Sequence, residues 1–196
     1  MPKIVDHETY KEALLTQCYE IFARRGYQGV TLRQLAEELG VSTGSLYHYF
    51  PTKQSILEAM FVLLTKQDVD RFDALFDPSG TLEEMLKVFF AFVEAREKYF
   101  QDLLLLTIDY FRHDEGKDTI AMLNQVIGTY REALAERSGL PRTLASMAIV
   151  FLNGLVYHRA LYRGQVDFTE QCRIFTEMII LYAKDRNLIN DKGYVR

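Results

Sequence analysis

The chain has 196 residues, 48% of them hydrophobic and only 4 of them Pro, which allows one or two compact units with an ordinary apolar core. A formal net charge of −4 and two widely separated cysteines argue against a general polyanion binder, a disulfide scaffold and a zinc module. There is no basic-plus-apolar leader ahead of a cleavage site, and no apolar run approaches the roughly 18 residues of a membrane span, so the expected location is cytoplasmic, with no membrane partner.

The first predicted helix runs through YKEALLTQCYEIFARR, with Leu14, Cys18, Ile21 and Phe22 on one face and Gly26 and Gly29 closing it. Cys18 and Cys172 read as packed thiols, the usual fate of a free cysteine, with a redox switch as the alternative. Residues 31–53, TLRQLAEELGVSTGSLYHYFPTK, then read as two short helices, a tight turn between them, and the start of a third. Thr31 is a good N-cap, and Gln34 completes a capping box. Leu32, Leu35, Ala36 and Leu39 form a one-sided stripe that stops at Gly40, where a left-handed residue commonly ends a helix. Val41 plugs the angle, and Ser42 is the next N-cap. In the helix that follows, only Leu46 and then Phe50 look inward before Pro51 stops it. Two helices across a short glycine-containing turn are the helix-turn-helix plan.

The outward residues suit DNA. A recognition helix enters the major groove by its N-terminal end, which must be small and polar. Thr43 and Ser45 carry hydroxyls for base edges, and Gly44 permits close backbone approach. Tyr47, His48 and Tyr49 are long enough for flanking phosphates. Arg33 and Lys53 sit at helix starts, where free N–H groups also favour an anion. Residues 1–60 nevertheless hold six Lys and Arg against seven Asp and Glu, and residues 24–53 hold four against two. Attraction to DNA must therefore come from a small oriented patch, which implies weak non-specific binding and a shallow salt dependence.

Beyond this segment the chain reads as helices with clear breaks. One continues from Thr52 to about Phe76, ended by Asp77-Pro78-Ser79-Gly80. Thr81 and Glu84 form a capping box, followed by Met85, Val88, Phe89, Phe92 and Val93 on an apolar side. A break is expected near Lys98, then an apolar helix from Tyr99 to Phe111. Further helices are expected over 117–138, from Pro141 to about Arg163, and from the Asp167–Glu170 cap to about Arg186. The fold class is all-α.

Residues 10–57 resemble the DNA-binding domain of the TetR family (tetracycline-repressor-like regulators). The resemblance rests on the first-helix segment YEIFARRGY and on the pattern T-L-R-x-L-A-x-x-L-G-V-S-x-G-x-L-Y-x-Y-F-x-x-K. It implies a helix-turn-helix head over 1–51 and a helical effector-binding and dimerisation body over 52–196. By position, it implies DNA contacts at Thr31, Arg33, Thr43, Gly44, Ser45, Tyr47, His48, Tyr49 and Lys53. The short arm before the first helix has only Lys3 as a basic residue, too little for a minor-groove contact.

The resemblance also implies a dimer interface from the last two helices, and the expected face is Ala148, Leu152, Leu155 and Arg159 with Phe175, Ile179 and Tyr182. Pairing has a physical warrant, because one recognition helix reads few base pairs and two heads read a palindrome. The alternative is that these stripes are ordinary core. Residues 61–196 hold 18 aromatics. Phe89, Phe92, Val93, Phe100, Leu103, Thr107, Tyr110, Met122, Phe151, Asn153 and Tyr157 are candidates for lining an effector cavity, and plain core is the competing role for each. His158 reads as a core or interface histidine bonded to neighbouring backbone.

The expected function is a dimeric repressor that binds a palindromic double-stranded DNA operator and is released by a largely apolar or aromatic small molecule. An activator and an effector-independent regulator remain open. A helical enzyme is the remote rival: His7, His48, His113 and His158 are scattered, and there is no phosphate loop, activated nucleophile, cofactor motif or clustered metal ligands.

Overall fold

The computed structural model describes residues 7–112, 117–162 and 165–195. Lys3 and His113, both considered above, lie outside the described residues. Among the described residues the chain is helical throughout, with one isolated antiparallel bridge, Ile189 to Val195, near the C-terminus. The order is α1 (His7–Arg25), α2 (Leu32–Glu38), α3 (Thr43–Tyr49), α4 (Lys53–Asp73), α5 (Leu82–Glu94), α6 (Glu97–Phe111), α7 (Lys117–Ser138), α8 (Arg142–Tyr162) and α9 (Phe168–Asp185).

The capping signals act where the residues place them. Thr31 and Thr81 each form a complete capping box, with Gln34 and Glu84. Ser42 and Asp167 accept the N3 backbone N–H of their helices. Each cap satisfies donors that a helix start otherwise leaves unpaired, worth about 1 kcal/mol. Gly40 takes the left-handed conformation, φ 68°, that ends α2. The break expected near Lys98 comes at Ala95 and Arg96 instead, so Lys98 lies inside α6. Nothing in the side-chain pattern marks the earlier position.

Chain contacts divide the residues into two compact units. The first comprises Met1–Gln67 with Leu105–Val126, and the second Asp68–Leu104 with Ile127–Arg196. The core of the first unit contains Leu14, Cys18, Phe22, Leu35, Leu46, Phe50, Ile56, Leu57 and Met60, all at most 3% exposed. Tyr110 from α6 is fully buried in the same unit. The second unit packs α5, α8 and α9 around Leu82, Leu86, Phe90, Ala145, Ala148, Leu152, Phe168, Phe175 and Ile179. There the rings of Phe151 and Phe175 stack at 4.2 Å.

Helix α8 corrects one expectation. By length and composition it is apolar enough to cross a membrane, although no uninterrupted apolar run is present. Ser146 and Asn153 interrupt it singly, so run length missed what average hydropathy detects. Leu144, Ala145, Ala148, Ile149, Leu152, Leu155 and Val156 use that apolarity in the core of the second unit.

Candidate DNA-reading surface

The first turn of α3 is presented outward. Gly44, Ser45, Tyr47 and His48 are exposed, and Thr43 is half-buried. Behind them Leu46 is 0% and Phe50 2% exposed, whereas Tyr47 is 53% exposed. Burying these two side chains anchors the helix, and the spacing of 3.6 residues per turn puts the polar ones on the far side. Ser42 fixes the start: its hydroxyl accepts the Ser45 N–H at 2.9 Å and lies 2.8 Å from the Ser45 hydroxyl. That places an exposed hydroxyl pair at a helix N-terminus, where the backbone itself favours anions.

The other expected contacts fall into two groups. Thr31 and Arg33 are exposed at the start of α2. Tyr49 and Lys53 are half-buried and already engaged. The Tyr49 hydroxyl lies 2.9 Å from His7 Nδ1, and its ring sits against Tyr10 at 5.6 Å. The Lys53 ammonium donates to the carbonyls of Tyr27 at 2.8 Å and Val30 at 3.0 Å, and lies 4.1 Å above the Tyr27 ring. Burial holds its pKa below the ordinary 10.5, and the negative charge of Asp109 partly offsets this. A phosphate role for Lys53 therefore competes with two hydrogen bonds inside the head.

The basic patch is smaller than the residue count suggests. Arg24 and Arg25 both pair with the Glu38 carboxylate. Lys53 points at carbonyls, so Arg33 is left as the exposed cation of segment 24–53 with no ion pair among the described residues. Sequence reasoning did not anticipate Asp109, which accepts the Tyr27 N–H at 2.9 Å and the Gln28 N–H at 3.4 Å from 82 and 81 residues away. No local pattern signals a partner at that separation.

The residues proposed for the body need correction at several points. Ala148, Leu152, Leu155, Phe175 and Ile179 are at most 6% exposed within a single chain, so they belong to its own core and not to an outer face. Arg159 is held by Glu97 at 2.6 Å and by the Val166 carbonyl. Tyr182 alone of the seven stands out, at 46% exposed. The outward apolar residues of these helices are Met147, Val150, Tyr157, Leu161 and Tyr162 on α8, and Ile174, Met178, Leu181 and Tyr182 on α9. Both helices carry two apolar stripes, and periodicity does not say which one the chain itself covers.

Of the effector candidates, Phe89, Phe92, Val93, Phe100, Leu103 and Phe151 lie in the second unit, and Thr107, Tyr110 and Met122 in the first. Asn153 and Tyr157 are exposed on α8 and line no interior. Several of the rings pack on one another: Phe72 contacts Phe89 and Phe92, and Phe92 contacts Phe100, with centroids 5.6–6.1 Å apart. The Tyr110 hydroxyl donates to Glu58 at 3.1 Å. His158 differs from expectation: its Nδ1 is buried with no hydrogen-bond partner among the described residues.

Two capped helices across a tight turn, with a polar first turn on the second and an apolar anchor behind it, define a helix-turn-helix module. Residues 14–60 match the family model described as bacterial regulatory proteins, tetR family, so this segment carries the DNA-binding domain of that family. It is 28% identical over 104 residues to the HTH-type transcriptional regulator PksA of Bacillus subtilis, covering 53% of this chain and 51% of that one. It is 31% identical over 75 residues to the repressor AcnR of Corynebacterium diphtheriae, covering 38% of this chain and 37% of that one. The chain thus spans about half, or less, of the length of the curated relatives it matches.

Solved structures match over more of the chain. FadR of Bacillus subtilis, in complex with stearoyl-CoA, aligns with TM-score 0.67 at 18% identity over 87% of this chain and 97% of that one. A transcriptional regulator of Rhodococcus sp. Rha1 aligns with TM-score 0.71 at 20% identity over 88% and 96%. At these identities the likeness concerns the fold.

Proposed function

We propose that this protein is a cytoplasmic transcriptional repressor that binds a palindromic operator as a homodimer and is released by a small molecule with a substantial apolar part. The observation that carries the reading is the exposure of Gly44, Ser45, Tyr47 and His48, with Thr43 half-buried beside them, above the buried Leu46 and Phe50. Among the nine expected positions, Thr31, Arg33, Thr43, Gly44, Ser45, Tyr47 and His48 touch DNA. Tyr49 and Lys53 support them from within.

The outward apolar stripes of α8 and α9 supply the second head. Val150 is 70% and Leu181 68% exposed, and further apolar side chains of the same two helices stand open beside them, the kind of surface that marks an interaction site. A symmetric pair through these stripes is the commonest way to cover such a face. The aromatic second unit, and the stearoyl-CoA complex of a protein with the same fold, support an effector with a long apolar portion. Such a molecule weakens DNA binding by as much as it prefers the conformation that does not fit the operator.

Selection of bound fragments from a random duplex pool tests the reading. The expected product is a palindrome whose half-sites are about one DNA turn, or a multiple of it, apart. Titration against salt should give a shallow slope, since few cations face outward; a slope equivalent to about ten neutralised phosphates would contradict it. Recovery of no sequence preference would end the proposal.

A further inference from the structure

The turn between α1 and α2 is held by opposite charges from two other helices. Its N–H groups point one way: Tyr27 and Gln28 donate to the Asp109 carboxylate on α6, at 2.9 and 3.4 Å. Its carbonyls point the other way: Tyr27 and Val30 accept from the Lys53 ammonium on α4, at 2.8 and 3.0 Å. The Tyr27 ring lies between the two helices, 4.1 Å from the ammonium and 5.0 Å edge-on from Tyr110, the neighbour of Asp109. Tyr110 in turn donates to Glu58, one turn further along α4. Gly26 opens the turn with φ 73°, and a Cβ there would meet Asp109 Oδ2 at 3.4 Å. The clamp therefore has an anionic jaw, a cationic jaw and a fixed ring between them, all within the first unit.

The segment so held leads directly to the DNA-reading elements. Val30, bound by Lys53, precedes Thr31, the N-cap of α2, and Arg33 follows two residues later. Moving this turn reorients α2, and with it α3, which packs against it. Hydrogen bonds to an ionised group are roughly twice as strong as neutral ones, so four such bonds on one short turn make a stiff mount.

We propose that Asp109 and Lys53 are positioning residues for operator binding: they set the pitch of the DNA-reading helices by clamping residues 27–30, and neither reaches the duplex. Because Asp109 is supplied by the last turn of α6, the head is complete only while that turn is docked. This rests on the reading of α2 and α3 as the DNA-contacting helices.

The test uses the full chain and the operator that it selects. Asp109→Asn, Lys53→Met, the double variant and Lys53→Arg are compared with the parent for operator binding, non-specific duplex binding and salt slope, at temperatures where each is folded by circular dichroism. Positioning predicts that both single variants lose about tenfold or more for the operator, while non-specific affinity and the salt slope stay unchanged. The double variant loses no more than the worse single one, because both remove the same clamp. Lys53→Arg, which still donates to two carbonyls, recovers most of the loss.

A phosphate contact predicts otherwise: Lys53→Met would weaken both kinds of DNA alike and lower the salt slope by about one. That result, additive losses, or full operator affinity in Asp109→Asn together with Asp109→Ala, overturns the proposal. If the parent chain selects no operator at all, the DNA-binding reading itself fails, and that outcome is read before any variant is made.

Discussion

Asp68 has no exposed side-chain surface, and its Oδ1 accepts from Arg96 Nη1 at 2.6 Å. Its other oxygen accepts the hydroxyls of Tyr99 at 2.9 Å and Tyr130 at 2.8 Å. The Arg96 guanidinium is stacked 4.2 Å from the Tyr99 ring and within 5.4 Å of Phe92 and Phe100. One carboxylate thus ties α4, the start of α6 and α7 together inside the second unit. A buried charge is tolerable only with this many partners.

Removing that carboxylate takes a charged partner from a guanidinium and an acceptor from two phenols. Asp68→Ala is expected to cost about 3–5 kcal/mol in urea denaturation, the usual penalty for breaking a buried pair. Adding Arg96→Met to it should recover part of the loss, since the orphaned cation goes too. Equal stability of Asp68→Ala and the parent would contradict the network.

The two sides of α8 and α9 separate stability from assembly. Val150→Glu and Leu181→Glu introduce charge on the outward stripes and should convert the protein to a 22.8 kDa species in sedimentation, with the fold kept. Leu152→Ala acts on the inward stripe and should cost about 2–5 kcal/mol of stability while leaving assembly intact at low temperature. A chain that sediments at 22.8 kDa without substitution would remove the dimer from the reading.

Base recognition and support are separable in α3. Thr43→Ala should relax sequence preference at one operator position, costing about 1–3 kcal/mol of discrimination there. Leu46→Ala, at a fully buried position, should instead weaken binding to every sequence by destabilising the head. Specificity profiles from selected DNA distinguish the two.

Alkaline pH tests the buried thiols. Burial pushes Cys18 from the ordinary 9.0 up to about 12, and Cys172 likewise, helped by the nearby charge of Glu94. The folded chain keeps these protons where the unfolded chain has lost them. Their stabilisation is therefore complete below pH 9.0 and drains away as pH rises toward about 12. Urea midpoints should fall over that window, and Cys18→Ala should reduce the fall. An unchanged fall in Cys18→Ala would show that the thiol does not carry it.

Local chemistry was legible in the residues. Thr31, Ser42, Thr81 and Asp167 cap the helices they precede, because a cap needs only three or four neighbouring residues to act. The inward pair Leu46 and Phe50 follows from helical spacing alone. The face of α8 and α9 did not follow, since both stripes are apolar and only the partner elements choose between them. Leu152 and Phe175 face the chain's own core; Val150 and Leu181 do not.

By itself the sequence determined an all-α chain with an outward polar first turn on α3, because helix caps, spacing and breakers are short-range and add along the chain. Tertiary structure alone decided that Lys53 grips carbonyls, that Asp109 completes the turn before α2, and that Asp68 gathers an arginine and two tyrosines. Those partners lie 23 to 82 residues apart, and no periodicity links them. They meet because burying apolar surface brings distant segments together, after which each enclosed charge must find its counterpart.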